Sequence, residues 1–152
     1  MRILIAGGGI GGITVALYLA RDGHHVEVFE QAQAFTEIGA GIQLSPNCSR
    51  VLHHLGLEDA LRASCFLPEG TEFRDWKSGR VIAASPLGET VRKKFGFPYY
   101  HIHRGDLIEL LVNAAEEQAN IRLHTNSKVE GYIEEGASIQ LSVNDVTYEG
   151  HA

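Results

Sequence analysis

Residues 2–30, RILIAGGGIGGITVALYLARDGHHVEVFE, limit what this chain can fold into more than any other stretch. Ile3-Leu4-Ile5-Ala6 is a short apolar run that reads as a buried parallel strand. A glycine-rich turn follows directly, with Gly7, Gly9 and Gly12 in the pattern G-x-G-x-x-G. Ile13, Ala16, Leu17 and Ala20 then recur at the spacing of one helical face. Asp22-Gly23 ends that helix, and Val26 to Phe29 predicts a second strand closing on Glu30.

Each glycine has a physical role in this reading. Gly7 allows the tight turn, Gly9 leaves room for a pyrophosphate beside the backbone, and Gly12 lets helix and strand pack closely. The first helical N–H groups, at Ile10 and Gly11, lack partners within the helix and lie at the positive end of its dipole. They form an anion site suited to two bridging phosphates. Glu30, about twenty residues after the turn, is placed to accept hydrogen bonds from a ribose. A carboxylate there suits a free 2′-hydroxyl and repels a 2′-phosphate, so the pattern predicts FAD or NAD rather than NADP. A lone G-x-G-x-x-G is a weak signal in a chain with 17 glycines. Its place between strand and helix, with the acid in position, is what separates it from a plain glycine-rich turn.

At 152 residues the chain has room for one domain, burying roughly two-thirds of its unfolded surface. The net charge of -6 argues against a nucleic-acid partner, which would call for a basic stripe. Residues 3–20 carry five glycines and no small-residue cleavage site follows, so they read as strand, turn and helix rather than as a signal peptide or membrane span. Cys48 and Cys65 are the only cysteines, which fits a reduced, cytoplasmic setting with bystander thiols.

Beyond Glu30 the pattern changes. Residues 31–37 read as a loop or a turn of helix, and 38–44, IGAGIQL, as a glycine-containing strand or bend. Ser45-Pro46 starts a helix with Ser45 as N-cap, Val51, Leu52 and Leu55 as its buried face and Gly56 as its C-cap. A shorter helix follows over 58–64. Residues 67–103 read as strand and loop, with a hairpin of 71–76 and 80–84 about Lys77-Ser78-Gly79 and a further strand over 99–103. This excursion predicts a small sheet beside the dinucleotide domain. Asp106 acidifies the start of another helix, faced by Leu107, Leu110, Leu111 and Ala114. The C-terminal part, 121–148, reads as a β-meander that turns at Asn144-Asp145.

The eight histidines do not assemble into a metal site on sequence grounds, because no carboxylate or cysteine completes a ligand set around His101 and His103. No G-x-S-x-G elbow is present. Glu134-Glu135 reads as a solvated pair at a turn. The residues by themselves give a cofactor site with no acid, base or nucleophile to accompany it, and no catalytic residue is assigned.

Residues 3–30, GAGIQLSPN at 39–47, HHLGL at 53–57 and HRGDLIELL at 103–111 occur together in this order. In that combination the chain resembles the N-terminal part of the FAD-dependent aromatic-ring hydroxylases, single-component flavoprotein monooxygenases, in particular the salicylate and 3-hydroxybenzoate hydroxylase-like group. The resemblance implies an α/β fold: a Rossmann-like FAD-binding βαβ unit with an added small sheet and a C-terminal meander. It implies that 1–152 is the N-terminal FAD/NAD(P)-binding domain, with about 67–103 reaching toward a substrate domain that is otherwise absent. Gly7, Gly9, Ile10, Gly11 and Gly12 would hold the FAD pyrophosphate and Glu30 the ribose. Gln31 stands where many members carry a basic residue near the adenine. Arg104, in R-x-x-L-x-x-x-L, matches the arginine that reaches the ribityl and pyrophosphate region, and Gln43 would face the flavin ring and substrate pocket.

The implied activity is hydroxylation of a small aromatic substrate with O₂ and NADH or NADPH as electron donor, chemistry that belongs to the cofactor while the protein orients it. The family's later Asp-Gly and Gly-Asp motifs are missing, and Asp22-Gly23 and Gly105-Asp106 do not replace them. A chain of this extent is expected to leave apolar faces uncovered and to associate with the missing half or with a second copy. Two other classes remain open: a non-catalytic or remnant dinucleotide-binding module, and an NAD-dependent dehydrogenase domain. The GAGIQ and HRGDL segments speak against the latter.

Overall fold

The computed structural model describes residues 1–35 and 39–152. The chain forms two compact units, one of Met1–Ile38 with Gly105–Ala152 and the other of Gly39–Arg104.

The first unit is built on the opening stretch. Strand β1 (Arg2–Ala6) leads through the glycine turn into helix α1 (Ile10–Arg21), and β2 (His25–Phe29) returns parallel to β1. Ile13, Ala16, Leu17 and Ala20 are the buried residues of α1, as their spacing predicts. The helix ends at Asp22, and Gly23 follows at φ 85°. Asn120 clamps this return by donating from its side chain to the carbonyls of Ala20 and His24.

Helix α5 (Arg104–Glu116) buries Leu107, Ile108, Leu111 and Ala115, so its inward stripe is rotated from the expected one. Leu110 and Ala114 are only half-buried. Strand β7 (Ile121–His124) then pairs parallel with β2 instead of entering the meander, giving the sheet order β1-β2-β7. One face of this sheet carries Val26 and Val28, both buried. The opposite face carries Leu4 and Phe29, which pack with Leu141, Val143, Val129 and Tyr148. Those residues come from the antiparallel meander of β8 (Val129–Glu135), β9 (Ser138–Val143) and β10 (Val146–Gly150). Its turn is the expected one, with Asn144 at φ 45° and Asp145 at φ 65°, the twist of a two-residue type I′ hairpin. After β10, His151 N–H donates to the Arg2 carbonyl and Leu4 N–H to the Ala152 carbonyl, so 151–152 run along the outer edge of β1.

The second unit holds two small sheets and three helices. Strand β3 (Gly41–Leu44) pairs antiparallel with β6 (Tyr100–His103), so the glycine-containing segment is a strand from Gly41 on. Thr36, Glu37 and Ile38 lie outside the described residues, whereas 31–35 form bends. Helix α2 (Pro46–His54) starts at the expected Ser45-Pro46, but the Ser45 hydroxyl donates to Asn47 Oδ1 rather than capping a backbone N–H. Its buried residues are Ser49 and Leu52, with Val51 and Leu55 half-buried. Ser49 is wholly buried because its hydroxyl donates to the Pro98 carbonyl at 2.6 Å. Helix α3 (Glu58–Ser64) has the expected bounds.

Strands β4 (Gly70–Arg74) and β5 (Val81–Pro86) form the anticipated hairpin. The segment after it departs from expectation: residues 88–95 form a helix, α4 (Gly88–Phe95), not loop. None of its residues is buried; Glu89 sits in its first turn, three cations lie in its last, and Gly96 ends it at φ 82°.

Candidate functional site

The first candidate site lies where β1 and β2 end. Gly7, at φ 104°, turns the chain off β1, and its N–H donates to the Phe29 carbonyl at 2.8 Å. A Cβ at Gly12 would collide with the Gly7 carbonyl oxygen, so only glycine lets the helix start this close to the strand. Gly9 is the N-cap of α1 in extended conformation, and the N–H groups of Ile10 and Gly11 open the helix without intrahelical acceptors. Among the described residues nothing lies within 4 Å of a Cβ built at Gly11, and these first N–H groups lie at the positive end of the helix dipole, where an anion is favoured.

Glu30 faces that turn. Its Oε2 accepts the Gly8 N–H and its Oε1 the Ala32 N–H, each at 2.8 Å. A carboxylate has about four lone-pair sites, so two remain for hydroxyl donors of a ligand. Gly7, Phe29, Glu30, Gln31, Ser127 and Val129 line a small cavity of about 150 Å³ here. Seven of the expected residues, Gly7, Gly9, Ile10, Gly11, Gly12, Glu30 and Gln31, thus cluster in one place. Three others were not singled out from the sequence. Gly8 is confined because a Cβ there would lie 2.9 Å from Glu30 Cβ and inside contact distance of the Phe35 ring. The triple glycine was the only hint of it. Ser127 and Val129 reach the cavity through the β7–β8 connection, where Ser127 N–H donates to the Glu30 carbonyl. Nothing local in the sequence marks them.

The strand that delivers Glu30 is anchored by a charged cluster. Glu27 is buried, its Oε1 accepting from Arg2 at 2.6–2.7 Å and its Oε2 lying 2.9 Å from His124 Nε2. Burial pushes its carboxyl up, but the hydrogen bonds and charges of Arg2 and His124 more than offset this and hold it below its usual value. His124 in turn stacks on Phe29 with ring centroids 4.7 Å apart.

The second unit carries the other two expected residues. The stem of Arg104 lies along Gly39, where a Cβ would sit 3.2 Å from Arg104 Cδ, and Arg104 N–H reaches the Ala40 carbonyl at 3.4 Å. Gln43 is exposed on β3 opposite His101 of β6, and its Oε1 accepts from the Tyr99 hydroxyl at 2.6 Å. Behind this sheet His53 Nε2 lies 3.0 Å from the hydroxyl of fully buried Tyr100. Burial pulls the His53 imidazole below its usual value, opposed by the Glu58 carboxylate 3.4 Å away. Among the described residues no group of three or more His, Cys, Asp or Glu side chains could hold a metal ion. No helix among them is long and apolar enough to cross a membrane.

The chain is 46% identical over 113 residues to the 3-amino-4-hydroxybenzoate 2-monooxygenase of Streptomyces cremeus, an overlap covering 74% of this chain and 29% of that protein. It is 39% identical over 128 residues to the 3-hydroxybenzoate 6-hydroxylase of Polaromonas naphthalenivorans, covering 84% and 32%. The chain therefore spans about a third of the length of these relatives. Its fold matches that of Klebsiella pneumoniae HpxO complexed with FAD and uric acid, with a TM-score of 0.83 at 24% identity over 99% of this chain and 37% of that one. Residues 1–151 match the family model described as FAD binding domain, and the chain belongs to that family.

Proposed function

We propose that this chain is the FAD-binding portion of a flavin-dependent monooxygenase that hydroxylates a small aromatic substrate, with NADH or NADPH as electron donor. The observation that carries the reading is the open start of α1 beside a carboxylate already fixed by the turn it faces. Ile10 and Gly11 would hold the pyrophosphate on their N–H groups, with Gly7, Gly9 and Gly12 giving the backbone its close approach. Glu30 would take the ribose hydroxyls on its two remaining acceptor sites, and Gln31 would border the adenosine end. Arg104 would donate to the phosphate and ribityl region, and Gln43 would border the ring end and the substrate. Bound FAD would supply the redox chemistry, accepting electrons from the nicotinamide and activating O₂. The chain's own contribution is binding, orientation and exclusion of water.

The relatives' names support the aromatic substrate class. The two half-buried thiols suit a cytoplasmic setting. An NAD-type domain is the weaker reading, because after β2 the chain leaves the parallel sheet and β3 pairs antiparallel with β6.

Titration of the purified chain with FAD, followed by flavin fluorescence, tests this. Saturable one-to-one binding is expected, with Gly9→Val abolishing it and Glu30→Ala weakening it about tenfold or more, the effect of losing hydrogen bonds to a charged acceptor. Binding of NAD in preference to FAD, or FAD binding indifferent to both substitutions, would overturn it.

A further inference from the structure

The end of the parallel sheet opposite the glycine turn carries side chains that the cofactor reading does not use. Arg2, His25 and Arg122 stand near the N-terminal ends of β1, β2 and β7, one from each strand. Arg2 pairs with His25 and Glu27 with Arg122 in register, so the alternation of side chains puts all four on one face. With Asn120 they line a cavity of about 350 Å³. Arg2, Arg21, Arg122 and Lys128 are the only arginines and lysines of this otherwise acidic unit, and two of them meet here. Glu27 is the one carboxylate in the wall, and both its oxygens are engaged, by Arg2 and by His124. Arg2 spends Nε and Nη2 on Glu27 Oε1 and keeps Nη1. The Arg122 guanidinium and the His25 ring have no partner among the described residues. What these charged groups have left to offer is N–H donors, so the ligand that fits them is a negatively charged acceptor.

We propose that this cavity binds a phosphoryl group, free or on a small monoester, held by Arg122, Arg2 Nη1 and His25 together. A phosphoryl group brings a charge of about −1.5 to −2 and three acceptor oxygens, one for each strand. A carboxylate has two oxygens and a single charge, which leaves one of the three donors unmatched. Strands β1 and β7 flank β2 roughly 10 Å apart, a span that two arginine stems and a phosphoryl group close. A cavity of this volume holds a small organic molecule as well as the ion. Because the contacts come from all three strands, occupancy ties the sheet together and stabilises the folded chain. The site lies at the other end of the strands from Gly7 and Glu30, so the proposal does not depend on FAD.

The test titrates the full 152-residue chain with inorganic phosphate, glycerol 3-phosphate and acetate at one ionic strength, following backbone amides and the histidine and arginine side-chain nitrogens by ¹H–¹⁵N NMR. The expected result is a saturable shift at His25 and at Arg122 Nε with either phosphate, and affinity about tenfold or more above that for acetate. Tighter binding of glycerol 3-phosphate assigns the site to a monoester, tighter binding of phosphate to the free ion. Arg122→Gln should lower phosphate affinity about tenfold or more and abolish the rise in urea midpoint that phosphate gives the wild-type chain. The Arg122 side chain is exposed, so the substitution breaks no packing, and the wild-type titration does not depend on the variant. Shifts confined to the Ile10 and Gly11 amides would move the anion to the start of α1 and overturn the proposal. Acetate binding equally well, or phosphate affinity untouched by Arg122→Gln, would do the same. Failure of FAD to bind, with the His25 and Arg122 shifts intact, would instead count against the cofactor reading alone.

Discussion

At Gly8 a single methyl group decides whether the glycine-rich turn can close. The Cβ of an alanine would meet both the Phe35 ring and Glu30 Cβ, at a position whose N–H holds Glu30 Oε2. Gly8→Ala is expected to destabilise the chain by about 1–3 kcal/mol through overpacking. Gly11→Ala, with open space around it inside α1, should be neutral or gain up to about 1 kcal/mol. Urea unfolding of the pair separates crowding from helix propensity, since only Gly8→Ala should lower the midpoint. Glu27 gives a residue-scale prediction of another kind. Its carboxyl is held below the ordinary value in the fold, so the unfolded chain takes up protons first as pH falls. The stability it contributes is complete above the unfolded value near 4.5 and is lost as pH drops through the lower folded value. Glu27→Gln should therefore cost about 1.5–3 kcal/mol at pH 7, reduced toward the lower figure because Arg2 is half exposed. The gap between variant and wild type, read from urea melts, should shrink as the pH is taken below 4; a gap independent of pH would contradict the assignment.

At the scale of elements, what could be read in the sequence followed what was local. The α1 stripe, the Ser45-Pro46 helix start, the bounds of α3 and the Asn144-Asp145 turn all rest on spacing or on a residue's own backbone preference. Helix α4 was missed because its apolar face is only Val91 and Phe95 and none of its residues is buried; its signals were the charges at its two ends and Gly96 beyond. The stripe of α5 differs from the expected one at two sites, Ile108 in place of Leu110 and Ala115 in place of Ala114, since each pair is about equally apolar and only their neighbours choose between them. Strand β7 joined the parallel sheet through pairing with residues nearly a hundred positions away, which no local pattern encodes. The candidate cofactor site was legible at its glycines and at Glu30 because a motif fixes them, and not at Ser127 or Val129, which matter through what lies beside them. The Asn144-Asp145 turn carries its own prediction. Both residues hold positive φ, and Asp145→Gly removes the steric cost at φ 65°, so it should stabilise the β9–β10 hairpin by up to about 1 kcal/mol. Thermal unfolding of the variant would show this as a rise of a few degrees.

Across the whole molecule, the two units differ in how far apart in sequence their partners lie. Unit two pairs β3 with β6 and β4 with β5, all within residues 39–104. The parallel sheet of unit one instead draws its strands from both ends of the chain, β1 and β2 from the start and β7 from beyond residue 120. Its outer edge goes further, since Arg2 and Leu4 bond residues 151 and 152. This edge has a consequence in time. Ordering nearly the entire chain precedes any return from those last bonds, so contacts of such long range form late and slowly. In pulsed hydrogen exchange during refolding, the Leu4 amide should gain protection after the amides of β2 that bond β1.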